Sequence, residues 1–467
     1  MKQETRRPST RKVRRDYAGG KRGNGQVQRR RVRRPDPGTL RTGKADPNLT
    51  AVAGLVPYAK WLRDIGLDRE LSVRFRGLKE DPRVVYPMQT QMRLLMDAFA
   101  VGETRVFGLE ALAADPLFVR LAGGVVPSID TVYSDLERFD DNALEALEAM
   151  GAMQGLVSAN RLRGWVHMDL DTSVCPHDGE EMEGAVPGPN PKYHGRPSHH
   201  PMLARIAQTD TLVGMQLRPG DRGLGAADVG TIEKWVRRAK AALRKDALLC
   251  VRIDAGGDAA DILECLHRAE AFYLVKGRQT PDLFAAIAGQ EHWKTVDRDA
   301  DGKPIRQVAE LSFQRGSWVA RGLRVRVIAV RSLERQGRQL VLPAPFDMEW
   351  TVQVFLTNRL DDANDIAWDY DARAGIEPLI AELKGAWGIG HSSSYSFRAN
   401  HAVLLLKALS HNLLTRYARE RFPNLPVWRT PWRRRLLLRA PGRLSRSGRR
   451  TYLHVLPSSP IARVLIE

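Results

Sequence analysis

Ala247-Leu248-Leu249-Cys250-Val251-Arg252-Ile253-Asp254 is the stretch from which the fold is read. Six of its first seven residues are apolar, and the run ends on a carboxylate. A strand wetted on one face alternates, whereas a parallel strand covered on both faces reads as a nearly continuous apolar run of this length. A helical pattern follows over residues 258–269, then a second strand over Ala271 to Val275, completing a β-α-β unit. Upstream, Gly164 to Thr172 reads as a strand. Met202 to Ile206 and Thr211 to Leu217 read as a hairpin turning near Thr209-Asp210, and residues 228–244 carry a helical pattern. The expected core is therefore α/β, a mixed sheet with a parallel half, flanked by helices.

Working outward, the texture changes on both sides. Residues 49–150 place apolar side chains at spacings of three and four (Leu55, Tyr58, Leu62, Ile65; Met92, Leu95, Met96, Phe99), which predicts a mostly helical domain. Within it, Ser128 is a candidate N-cap for a helix running to about Phe139, and the Gly123-Gly124 turn before it gives a weak helix-turn-helix pattern. Residues 278–350 alternate in short segments, Trp318 to Ala320 and Arg324 to Val330 among them. They predict a β-rich insertion between a first part of the core (160–277) and a second part (351–417).

Charge marks the ends of the 467-residue chain. Net charge is +19, and residues 1–48 hold 16 basic against 4 acidic side chains while residues 416–450 hold 12 against 1. Residues 1–48, with almost no large apolar groups, read as a flexible basic arm, and residues 418–467 as a basic C-terminal tail. A polyanion is the natural partner, since each Lys or Arg near a phosphate releases condensed counterions. No apolar run approaches the ~20 residues of a membrane span, and no apolar segment follows the basic N-terminus, so neither a membrane protein nor a secreted one is expected. Three scattered cysteines (Cys175, Cys250, Cys265) exclude a disulfide framework, and the spacing of Cys175, His177, His194, His199 and His200 fits no common zinc site. The expected compartment is a reducing cytoplasm.

Three carboxylates stand where they can meet a ligand. Asp171 ends the first strand and Asp254 the buried parallel one, and the crevice beyond strand ends is where open α/β sheets bind ligands. Asp169, two residues earlier on the same face, is a rival for the first position. The third is Glu377. On a helix turning about 100° per residue, Tyr370, Arg373, Glu377 and Lys384 fall within about 60° of one another. Such a stripe suits a carboxylate flanked by groups that grip phosphates; a solvated charged face reads the same way. Pro378 places the start of the regular helix near Glu377.

The spacing Tyr370, Arg373, Glu377, Lys384 resembles the Y-R-E-K signature of DDE transposases in the insertion-sequence-four superfamily. Gly184-Ala185, Asn190-Pro191-Lys192, Gly195-Arg196-Pro197-Ser198-His199-His200-Pro201, Leu217-Arg218-Pro219-Gly220, Arg252-Ile253-Asp254-Ala255-Gly256, Ala399-Asn400 and His411-Asn412-Leu413 resemble the branch called insertion sequence thirteen-eighty. The resemblance spans about residues 50–455.

That resemblance implies an RNase H-like mixed sheet flanked by helices, interrupted by a β-rich insertion, with an N-terminal helical DNA-binding domain. Asp171, Asp254 and Glu377 would be the catalytic, metal-binding triad, with Asp171 preferred to Asp169 because Thr172 supplies the hydroxyl residue that follows the first aspartate in the family. Two Mg²⁺ ions, or Mn²⁺ in their place, would serve as cofactor. Tyr370, Arg373 and Lys384 would contact DNA phosphates, Arg196 would face DNA, and Trp318 would stack on a flipped base unless it is a core residue. The partners implied are double-stranded DNA, both element ends and target, bound by a homodimer that cuts and joins DNA at terminal inverted repeats in a bacterial cytoplasm, at the nucleoid. Gly257, where relatives commonly have an aromatic, and Pro378 depart from the pattern. The rival readings are a non-transposing RNase H-like nuclease and a catalytically inactive DNA-binding descendant.

Overall fold

The structure is a computed structural model, and it describes residues 41, 43–81, 83–178, 181–188, 194–333, 350–425 and 429–466. The basic arm falls almost wholly outside the described residues, as do Asn190-Pro191-Lys192, the end of the insertion and Trp428.

Nine strands form one sheet. In chain order they are Gly164–Thr172 (β1), Met202–Ile206 (β2), Thr211–Gln216 (β3), Ala247–Ile253 (β4), Phe272–Lys276 (β5), Lys294–Arg298 (β6), Pro304–Leu311 (β7), Arg326–Leu333 (β8) and Trp350–Thr357 (β9). Their spatial order is β3-β2-β1-β4-β5-β9-β8-β7-β6. β4 is parallel to both β1 and β5, and every other pairing is antiparallel. The continuous apolar run thus lies between two parallel neighbours, where both of its faces are covered. Asp210, with φ 48°, makes the β2–β3 turn in the left-handed region that aspartate tolerates.

The 278–350 insertion does not form a sheet of its own. β9 bonds β8 on one side and β5 on the other, so the inserted strands continue the core sheet. Open backbone on the β5 edge is the reason: a strand there would be unpaired without them. Trp318 also departs from the strand reading, because Gly316–Val319 is a single helical turn.

One face of the parallel half packs Val166, Met168, Leu170, Val251 and Ile253 against helices Val229–Ala242 and Ala260–Arg268. The N-terminal region is helical as expected, with Leu55–Asp64 (α1), Leu67–Phe75 (α2), Met88–Val101 (α3), Ile129–Leu136 (α4) and Asp141–Leu156 (α5). Ser128 caps α4 by accepting from the Thr131 amide at 3.3 Å. Yet it is not separate from the rest. Its core is shared with Phe397–Arg421 (α10), with Leu203 and Met215 of the sheet, and with Leu437 and Leu438, and the chain from Pro47 onward is one compact unit.

The C-terminal residues fold too. The described residues of 418–467 include parts packed into the core: Arg433 donates to Thr415 Oγ1 at 2.8 Å, and buried Arg434 donates to Phe99 O (2.6 Å), Ala100 O (3.0 Å) and Ala386 O (2.6 Å). Those carbonyls end two helices, which leave acceptors unpaired and carry partial negative charge. The charge counted for the tail is therefore partly structural.

The outer edge of β3 is closed by a side chain. Asn412 of α10 accepts from the Leu212 amide (2.8 Å) and donates to Leu212 O and Gly151 O (both 2.9 Å). A Cβ at Gly155 would sit 2.3 Å from Leu212 O and 2.6 Å from Asn412 Nδ2, so glycine is what lets α5 approach. Asn412→Leu should leave the buried amide and carbonyl of Leu212 unpaired and cost about 2 kcal/mol, read as a lower urea midpoint with an unchanged m-value.

Candidate active site at the strand ends

Residues alternate across a strand, so Trp165, His167, Asp169 and Asp171 of β1 all face one way. That face carries polar groups beside an apolar patch in which the Trp165 ring packs on Phe272, and each position meets its own partner. The Arg359 guanidinium lies 4.0 Å over the Trp165 ring. His167 Nε2 is 3.4 Å from Asp369 Oδ2, which Arg359 also pairs at 2.6 Å. Asp169 is completely buried between the two flanking strands: Arg205 of β2 donates to Oδ2 at 3.0 and 3.1 Å, and Arg252 of β4 to Oδ1 at 2.6 Å. Both arginines stand directly opposite Asp169 in register. With both oxygens committed, Asp169 has no free lone pair facing solvent.

Asp171 is arranged differently. Leu170 pairs with Ile253, so Asp171 and Asp254 are the next positions on adjacent parallel strands, which run about 4.8 Å apart. Asp254 Oδ1 accepts the Gly256 amide at 2.9 Å and so caps the tight turn Ala255–Gly257. Arg278 holds the same turn, donating to Ala255 O (2.9 Å) and Gly256 O (3.3 Å). The glycine at 257 has a local cause, since a Cβ there would lie 2.6 Å from Ile253 Cγ2. Asp171 accepts the Thr172 amide at 2.8 Å and meets one cation among the described residues, Arg373, at 3.1 Å. Burial raises its pKa, Arg373 opposes this, and the Asp254 carboxylate adds to the rise; the result is about 6. Two crowded carboxylates short of positive charge are a donor set that suits a hard divalent cation.

Arg373 belongs to a helical arm laid over these ends: Ala363–Asp371 (α8), a 3₁₀ turn Ala372–Gly375, and Ile376–Ala386 (α9). Pro378 is the third residue of α9, where an absent amide costs no helical bond. Arg373 also donates to Leu170 O at 3.1 Å, Tyr370 Oη to Ile253 O at 3.4 Å, and Lys384 Nζ to Val174 O at 2.7 Å. Three members of the four-residue stripe thus grip the backbone of β1, β4 and the segment after β1. The Nε of Arg373 is buried with no partner among the described residues.

Glu377 is exposed. It lies one turn beyond Arg373 on the face that also carries Lys384, but it makes no group with the two aspartates: among the described residues no three His, Cys, Asp or Glu side chains approach closely enough to hold a metal ion.

Trp318 requires correction. It is 1% exposed, packed edge-on to Phe313 and under the Arg315 guanidinium at 4.8 Å, so it offers no face to a base. Arg196 pairs with Asp178 at 2.6 Å. His177 and His199 share a hydrogen bond at 3.0 Å, and His199 also meets Glu183 O at 2.9 Å. The sequence reading passed over Arg205 and Arg359 and gave Arg252 no role. The signal was present for two of them: an arginine inside an apolar strand needs a buried carboxylate, and Arg205 and Arg252 flank the one at 169. Among the described residues no helix is long and apolar enough to cross a membrane.

A family model described as "Transposase DDE domain group 1" matches residues 41–467. Among solved structures, the piggyBac transposase synaptic complex with hairpin DNA is similar at 10% identity and a TM-score of 0.45, over 82% of this chain and 79% of that chain. No curated protein matches.

The raised Asp171 pKa has a measurable sign. In the unfolded chain this carboxyl titrates near 3.8, so between about pH 4 and 6 the folded state holds the proton more tightly. In chelator, Asp171 by itself should take about 2 kcal/mol from stability as pH rises through that window, against the opposite contribution of His177 and His401, whose pKa values burial lowers to about 4, so the readout is the difference between wild type and Asp171→Asn. Urea denaturation of both proteins across that range measures it.

Proposed function

The chain belongs to the family of transposase DDE domains, group 1, and from that premise we propose that it is the DNA transposase of an insertion sequence of the thirteen-eighty branch. It binds the terminal inverted repeats of its element, cuts the DNA there and joins the freed ends to a target. The strand order β3-β2-β1-β4-β5, with β1, β4 and β5 mutually parallel, supports an RNase H-like reading of the core. The single observation that carries the proposal is the arm α8–α9, fastened by Arg373 to Asp171 at the mouth of two parallel strands.

In this reading Asp171 and Asp254 hold divalent magnesium, with Glu377 completing the set. Asp171 and Asp254 would hold the ion, and the chemistry it would supply there is polarisation of a phosphate and a lowered pKa for the attacking water or DNA 3′-hydroxyl. The chain's own residues do the rest. Asp169 stays committed to Arg205 and Arg252, so it does not compete as a ligand. Arg373 steadies Asp171 and has its Nε left to donate to a phosphate oxygen. Tyr370 and Lys384 help to position the arm, each donating to a backbone carbonyl, and the lysine ammonium keeps further N–H donors for a phosphate. Glu377 is exposed one turn beyond Arg373 on the same arm, and completing the set requires it to approach the two aspartates. Two ends must be held at once for joining, which a homodimer on DNA provides.

Asp254→Ala and Glu377→Ala should each lower Mg²⁺- or Mn²⁺-dependent cleavage of DNA carrying the element's ends by ~1,000-fold or more, with end binding retained in a gel-shift assay. Full activity in Glu377→Ala would remove that residue from the site. A wild type that binds but never cuts would favour the inactive descendant, and cutting without joining the nuclease.

A further inference from the structure

Gly442–Ser447 (β10) and Arg450–Val455 (β11) form an antiparallel ribbon whose two halves differ in character. At its root Leu453 and Val455 pack on Ala53, Ala440 and Ile461, and β10 pairs with the short strand Leu49–Thr50 at residues 442 and 443 only. Beyond that point the ribbon is two-stranded and exposed. Its turn is Gly448-Arg449, with Gly448 at φ 57°, the sign that the first position of a two-residue hairpin turn needs.

The distal half is unusual in its charge. Arg446, Arg449 and Arg450 are all exposed, residues 421–466 contain no Asp or Glu, and among the described residues no carboxylate pairs with these three. Some exposed arginines elsewhere on the surface are neutralised: Arg237 and Arg268 share Glu233 at 2.6 and 2.8 Å, and Arg244 meets Asp246 at 2.8 Å. Tyr452 (45% exposed), Ser445 and Ser447 add hydroxyls on the face they share with Arg450. An isolated two-stranded ribbon is marginal in water, and three unpaired cations at one tip repel one another.

We infer that this ribbon is a DNA-backbone contact, its arginine tip entering the major groove of duplex DNA and pairing with phosphates on either side. The inference rests on the DNA-binding reading above and adds to it where one contact is made. B-form DNA has a major groove wide enough for a two-stranded ribbon, whereas the deep, narrow groove of duplex RNA does not admit one. The buried Arg433 and Arg434 take no part.

The test is the salt dependence of binding to a ~30-bp duplex of random sequence, where each lost phosphate contact lowers the log–log slope by about 0.9. The variant Arg446→Ser/Arg449→Ser/Arg450→Ser should lose 2 to 3 units of slope, roughly. The equal-charge control Arg237→Ser/Arg244→Ser/Arg268→Ser should lose less than about one, with both folds verified by circular dichroism. Wild-type binding with an unchanged slope in the ribbon variant, an equal loss in the control, or a loss seen with duplex RNA but not DNA would overturn the ribbon's role alone. A wild type that binds no duplex at all would overturn the DNA reading and the ribbon with it.

Discussion

The architecture of the strand ends depends on how one buried negative charge is satisfied. Asp169 lies inside the sheet with no water to stabilise it, and an unpaired carboxylate there would cost several kcal/mol. Two arginines from the neighbouring strands, opposite it in register, remove that cost. The consequence reaches forward along β1. Because Asp169 is paired sideways, Asp171 is the aspartate that faces outward, and the helical arm can reach it through Arg373.

The same face explains why the arm packs as it does. Tyr370 and Ile366 contribute apolar contacts with Phe355, Leu274 and Cys250, but much of the arm's attachment is polar: Asp369 to His167 and Arg359, Arg252 to the carbonyl of Asp369, Arg373 to Asp171 and Leu170 O. Hydrogen bonds are directional where hydrophobic contact is not. A site that must hold carboxylates in a fixed relation is served by the directional kind. Large polar interfaces of this sort also keep the crevice charged while the opposite face of the sheet remains an ordinary apolar core.

At the far edge of the sheet the helical N-terminal region, α10 and the folded C-terminus share one core. Arg434 reaches the carbonyl ends of α3 and α9, and Asn412 closes β3. Both residues come from the end of the chain and both satisfy backbone groups laid down much earlier. This makes the C-terminal segment part of the fold, and its outward charge lies on the β10–β11 ribbon and on exposed arginines such as Arg429, Arg435, Arg439 and Arg463.

Local pattern was enough for the elements. The apolar run ending at Asp254, the hairpin at Thr209-Asp210, the cap at Ser128 and the helix start near Glu377 were all legible, because strand and helix periods and turn residues act over a few positions. So was the placing of Asp171 and Asp254 at strand ends, whereas the pairing of those two strands was shown only by the fold. What the chain's order could not reveal was which side chains meet across it. Asp169 finds its arginines 36 and 83 residues away, the insertion strands join the sheet through β9 instead of forming a unit of their own, Trp318 is enclosed by the core, and Arg433 and Arg434 turn inward. Partner choice of that kind depends on which elements become neighbours, and only the burial of charge and backbone in the folded chain decides it.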